Sequence, residues 1–150
     1  MTRRYLEDLE EGNSFGGETY DVCADEMLAF SRKWDPRDIH IDEAAGQAAG
    51  YGGIIASGAY TTAIFTLLSL RSRERDGDHA VLAGLGADIA LSRPLRAGDT
   101  VRYAARIVEV RESKSRPDAG VVKTVASLVN QHGETVYQLT TATLVARRPC

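Results

Sequence analysis

Apolar positions fall on two different spacings in the two halves of the chain. In the first half, Met27, Phe30 and Trp34 recur three and four residues apart within Asp25–Trp34. That is the helical repeat, and it predicts an amphipathic helix with one apolar stripe. Asp25 and Glu26 open it and Arg32 and Lys33 close it, the order of charge that suits the helix dipole. Pro36 sets its end at Trp34 or Asp35. Ahead of it, residues 1–13 are polar and read as a lead into the domain, and Phe15–Val22, carrying Thr19, Tyr20 and Val22, reads as a first strand. Beyond it come a short helical piece, Asp42–Ala49, and a glycine cluster at Gly50, Gly52 and Gly53. Ser57 is a good N-cap. From there the chain runs to Leu70 without a charged residue. A helix apolar on nearly every face must be enclosed on nearly every side. This one is too short to span a membrane, so protein has to enclose it. Arg71, Arg73 and Arg75 mark its solvated end and Gly77 its stop.

In the second half the spacing changes to that of strands. Ala80–Leu91, Val101–Arg111, Gly120–Asn130 and Thr135–Ala146 alternate or are rich in Val, Ile and Thr. Turn signals at Arg93–Asp99, Ser115–Asp118 and Gln131–Glu134 separate them. Connections this short favour antiparallel neighbours. Long strands around one buried helix give an α+β class, with a sheet curled about the helix. The length of 150 residues fits a single domain spanning 1–150.

Composition narrows the field. A net charge of −3 argues against a nucleic-acid partner, which usually meets a basic face. No apolar run reaches membrane-spanning length, and MTRRYLEDLEEGNSF has no apolar signal core. Cys23 and Cys150 lack metal-ligand spacing, so no metal site is expected and the thiols point to a reducing cytoplasm. Cys23 reads as a small buried residue. His79 and His132 fall in turns and take no role.

The chemistry concentrates between Trp34 and Gly58. Asp35 and His40 are close enough in sequence to share one proton-transfer task. The start of the apolar helix at Ser57-Gly58 leaves backbone N–H groups that can stabilise an anion. Asp35-x-x-x-x-His40, followed by Ile55-Ala56-Ser57-Gly58, resembles the MaoC-like family of (R)-specific enoyl-CoA hydratases. The segment Ser92–Thr100, with its Pro94 and Gly98-Asp99, is similar to the family's strand-turn-strand segment, so the likeness covers most of the chain. There is one departure. Many members read Asp-x-Asn-Pro-hydrophobic-His, where this chain has Pro36, Arg37 and Asp38 before Ile39 and His40.

The resemblance implies a hotdog fold, an antiparallel sheet wrapped around one long central helix. It implies a hydratase or dehydratase of fatty acid metabolism acting on the 2,3 double bond of an enoyl thioester. Asp35 and His40 would hold one water, and the Gly58 N–H would serve as the oxyanion hole. Thr66 aligns with a hydroxyl residue that lines the pocket in some relatives, and Tyr51, with the glycines around it, should shape the pocket mouth. No metal or redox cofactor is implied, because CoA or an acyl-carrier arm comes as part of the substrate. Relatives form homodimers, with the active sites near the subunit interface. Two other classes share the fold: a thioesterase and a non-catalytic acyl-binding subunit. Each residue also has a structural role open to it. Asp35 can end a helix, Gly58 and Thr66 can serve packing, and the arginines after Leu70 can simply be solvated.

Overall fold

The long uncharged stretch becomes helix α3, Gly58–Asp76, in the computed structural model, which describes residues 1–150. Its start is fixed by Ser57, whose hydroxyl accepts the Tyr60 N–H at 3.1 Å. Gly77 stops it. Ahead of α3 lie β1 (Arg3–Arg4), β2 (Ser14–Asp21), α1 (Ala24–Trp34) and the short α2 (Glu43–Ala48). After it come β3 (Asp78–His79), β4 (Val81–Ala90), β5 (Thr100–Glu112), β6 (Ala119–Val129) and β7 (Thr135–Ala146). Strands β2-β5-β6-β7-β4 form one antiparallel sheet in that order. The sheet wraps along one side of α3, the α+β architecture expected from the spacing. No helix is long and apolar enough to cross a membrane.

Tyr60, Ile64, Phe65 and Leu68 of α3 pack on Val101, Tyr103 and Ala105 of β5, Ala126 and Leu128 of β6, and Val136 and Tyr137 of β7. Alternate residues of a strand share a face, so β5 presents 101, 103 and 105 to the helix. Ile107, next on that face, lies beyond the reach of α3. It joins Val122 and Val145 in a second cluster, which Leu6, Leu9 and Ala80 cover. Residues 1–13 are thus more than a polar lead: Leu6 and Leu9 are 7% and 4% exposed. The isolated apolar pair gave no periodic signal, because a single 3₁₀ turn at Leu6–Asp8 carries it.

Four further expectations need correction. Strands β4 and β5, successive in sequence, are not neighbours. The segment after β4 crosses from one edge of the sheet to the strand beside the opposite edge, since burying Leu95, 2% exposed, beneath the start of α3 outweighs a tight turn. The Leu95 carbonyl accepts the Ala56 N–H at 2.8 Å, which joins this crossover to the approach to α3. Secondly, α3 is covered on one side only: Ala59, Ala63, Thr66 and Leu70 form an exposed stripe. Strand β4, at the edge beside it, has every residue exposed, Leu82, Leu85 and Ile89 included. Thirdly, Met27 and Phe30 pack inward, but Trp34 is 64% exposed, because α1 ends as it passes the edge of the core. Finally, Cys23 is exposed, at the N-cap of α1.

Candidate active site

Asp35 is the C-cap of α1, with its N–H bonded to the Ser31 carbonyl at 2.9 Å. Pro36 prevents the helix from continuing, and the chain turns through a 3₁₀ turn at Asp38–His40. This turn carries the His40 imidazole inward, where it is 4% exposed. The turn is then stitched to the segment leading into α3. The Ile55 N–H donates to the Ile39 carbonyl at 3.2 Å, and the Ile55 carbonyl lies 2.8 Å from His40 Nδ1. A carbonyl only accepts, so Nδ1 carries the proton and Nε2 of the neutral ring has a free lone pair. That nitrogen stands 3.5 Å from Asp35 Oδ2. A water at ordinary hydrogen-bond distance, about 2.8 Å, can touch both atoms.

Arg37 completes the group. Its Nε donates to Asp35 Oδ1 and its Nη2 to Oδ2, both at 2.7 Å, in a two-pronged fork. The Arg37 hydrogen bonds hold the Asp35 carboxyl below the usual carboxylate range, against partial burial and with help from the Arg37 charge. Asp35 is therefore a carboxylate at neutral pH. No sequence signal marked this fork beyond the departure of Pro36-Arg37-Asp38 from the family pattern.

Just beyond Ile55, α3 begins. The Gly58 N–H has no acceptor within its own helix, and none of the loop or cap hydrogen bonds takes it. A Cβ at Gly58 would stand 2.9 Å from Leu91 Cδ1, so a larger residue here would have to displace that flexible side chain. Small α2 braces the other flank: Gly46 lies so close to the Gly53 carbonyl that a Cβ there would stand 2.0 Å from it. Glu43 accepts the Ile54 N–H at 3.2 Å. The two longer helices are tied together by Glu26, whose Oε2 accepts the hydroxyls of Tyr20 at 2.6 Å and Tyr60 at 2.7 Å.

Asp35 and His40 therefore come together, with Gly58 at the adjoining helix start. Tyr51 sits apart on the surface, 37% exposed, with its carbonyl accepting from Arg96. Thr66 lines a hollow of about 340 Å³ together with Thr62, Phe65, Ile89 and Tyr137. Its hydroxyl donates to the Thr62 carbonyl at 2.9 Å. At 1.5 Å per residue, Thr66 is about 12 Å along α3 from Gly58. A second hollow, about 350 Å³, includes neither Asp35 nor His40. It lies at the far end of α3, between Arg73, His79, Tyr103 and Thr124. Arg73 is solvated beside Asp78, while Arg75 is paired with Glu18 and Asp76. No three His, Cys, Asp or Glu side chains cluster as metal ligands.

Residues 11–139 match the family described as the FAS1-like dehydratase domain region. A MaoC-like dehydratase from Rhodospirillum rubrum is 33% identical, with a TM-score of 0.85 over 98% of this chain and 99% of its own. The (R)-hydratase from A. caviae involved in PHA biosynthesis shares 21% identity and a TM-score of 0.65, covering 95% of this chain and 99% of its own. YdeM of Bacillus subtilis is 26% identical over 144 residues, 95% of this chain and 99% of its own. These likenesses extend to the whole sheet-and-helix architecture, which is the hotdog fold.

Proposed function

The chain belongs to the FAS1-like dehydratase domain family, alongside the MaoC-like dehydratases, and from that premise we propose that it adds water to, or removes it from, a trans-2-enoyl thioester of CoA or an acyl carrier, with (R)-3-hydroxyacyl stereochemistry. The observation that carries this reading is the free Nε2 of His40, whose ring is held through Nδ1 by the Ile55 carbonyl, standing 3.5 Å from the Asp35 carboxylate beside the start of α3. In hydration, Asp35 and His40 orient one water. Its oxygen attacks C3 as His40 takes a proton. The electron pair of the double bond moves onto the thioester oxygen. The Gly58 N–H and the dipole of α3 stabilise that enolate charge. The enolate then collapses and C2 receives a proton from the same face. The acyl chain follows α3 towards Thr62 and Thr66, and Tyr51 lies towards the mouth. The thioester needs no metal or redox cofactor for this chemistry. Both thiols are free, and we place the reaction in the cytoplasm, within fatty acid metabolism.

Enoyl-CoAs of graded length and branching test the reading when absorbance of the conjugated thioester and release of free thiol are followed together. Loss of absorbance without thiol release is the expected result. Release of CoA from saturated acyl-CoAs, with no hydration, selects the thioesterase instead. Tight binding of enoyl-CoA without turnover selects an acyl-binding subunit.

Assembly is part of the proposal. Strand β4 is an open sheet edge, which folded proteins normally pair or cover. Leu82, Leu85, Ile89 and Leu91 on or next to it, with Leu70 on α3, leave an apolar surface beside that edge. A second copy that pairs β4 with β4 covers both, continues the sheet and brings its own α3 alongside. Light scattering is expected to give at least twice the 16.3 kDa of one chain. A stable, active monomer at micromolar concentration contradicts it.

A further inference from the structure

Arg37 is the one residue of the Asp35–His40 group that the reaction above does not use, and it makes the group's strongest contacts. Both carboxylate oxygens of Asp35 receive its fork at 2.7 Å, whereas His40 Nε2 is 3.5 Å away. A bare carboxylate this close to an imidazole favours the imidazolium, since an opposite charge within about 4–6 Å stabilises the charged form by roughly 1–3 pH units. An imidazolium at His40 has no lone pair on Nε2 and cannot take a proton from water. A guanidinium bound to the same carboxylate offsets that attraction. It also fixes the carboxylate plane, because a planar fork matches a carboxylate in one orientation. Each carboxylate oxygen can accept more than one hydrogen bond, so Oδ2 keeps a site for water.

We propose that Arg37 is a positioning residue that divides the work of the pair, claiming the Asp35 carboxylate so that His40 stands as the free base. This rests on the hydratase reading for its consequence in turnover, though not for its electrostatics. The proton then has a defined route. An O–H bond of water breaks, its proton goes to Nε2 of His40 and its oxygen bonds to C3. The same proton passes from Nε2 to C2 as the enolate returns its electron pair. Asp35 stays anionic throughout and orients the water. Other charges near the pair do not substitute for Arg37. Glu43, on the flanking α2, is engaged by the Ile54 N–H, the first turn of α3 carries no acidic side chain, and Lys33, at the end of α1, lies over the Trp34 ring. Asp38, in the turn itself, and Asp42, the cap of α2, add only negative charge, which favours the imidazolium and so adds to the effect of losing Arg37.

The test is an NMR titration of the imidazoles, which needs no turnover. There are three histidines, and His40 is assigned by its loss in His40→Ala. Arg37→Gln is expected to raise the His40 midpoint by about 1 pH unit. The acid limb of kcat/KM on an enoyl-CoA should move up with it, leaving about tenfold less activity below the midpoint. Arg37→Lys restores the charge without the fork, so its midpoint should stay near that of the wild type while kcat falls. Arg37 is 69% exposed at its side chain, so neither change threatens the fold. A His40 midpoint within 0.2 pH units (about the error of such a titration) in Arg37→Gln overturns the proposal. So does a rise in KM alone, with midpoint and kcat unchanged, which would make Arg37 a contact for substrate anions. If His40→Ala keeps full turnover while the midpoint moves as expected, the hydratase reading fails and the Arg37 assignment stands.

Discussion

His40→Ala is expected to lower the rate of enoyl-thioester hydration about 10²–10⁴-fold, and Asp35→Asn to fall in the same range. Each change removes one of the two groups that touch the water. Asparagine keeps the size of Asp35 but carries no charge to orient the water against a developing imidazolium. Alanine at 40 also leaves the Ile55 carbonyl without its donor, a loss of about 1–3 kcal/mol in a buried setting. Circular dichroism on each variant therefore has to accompany the kinetics, so that lost activity is read on folded protein. Because both side chains act on one water, their losses should not add, and the double variant should resemble the worse single one. Near-normal turnover in both single variants removes the pair from the mechanism.

Ile64→Ala should destabilise the fold by roughly 2–5 kcal/mol, through lost burial and the cavity left behind. Ile64 is 3% exposed on the face of α3 that meets the sheet, four residues before Leu68, which is 0% exposed. Neighbours from three strands close around that face and cannot all collapse into the gap. Urea unfolding should show a lower midpoint with an unchanged slope, the signature of lost stability without a changed denatured state. An unchanged midpoint means that α3 is not the centre of the core.

Much of this is legible in the sequence. Ser57 and Gly77 bound α3 because capping is local chemistry. The long strands were legible because Val, Ile and Thr mark them. Strand order was not, because sequence spacing cannot distinguish a turn from a crossover. Only the burial of Leu95 shows why Ser92–Asp99 spans the sheet. The burial of Leu6 and Leu9 is not legible, because two apolar residues in a charged stretch have no period. The enclosure of α3 does not follow from its lack of charge, because uncharged Ala59, Ala63, Thr66 and Leu70 stand exposed on this chain. At the site, Asp35 and His40 were visible as residue types at a fixed spacing. The tautomer of His40 was not, because it depends on the Ile55 carbonyl, and every residue has a carbonyl. Arg37 was visible only as a departure from a pattern. Its fork on Asp35 needs the turn after α1, which sequence predicts only as an interruption by Pro36.

The measurement that bears most directly on the central claim is hydration of a short trans-2-enoyl-CoA by the wild-type protein in D₂O, with product stereochemistry read by NMR. One water delivered by Asp35 and His40 on one face of the alkene must place both of its parts on that face. The predicted product is a single (R)-3-hydroxyacyl-CoA in which the hydroxyl at C3 and the deuterium at C2 were added syn, with no free CoA released. Anti addition, a racemic C3 centre, or thiol release with the double bond intact contradicts the account.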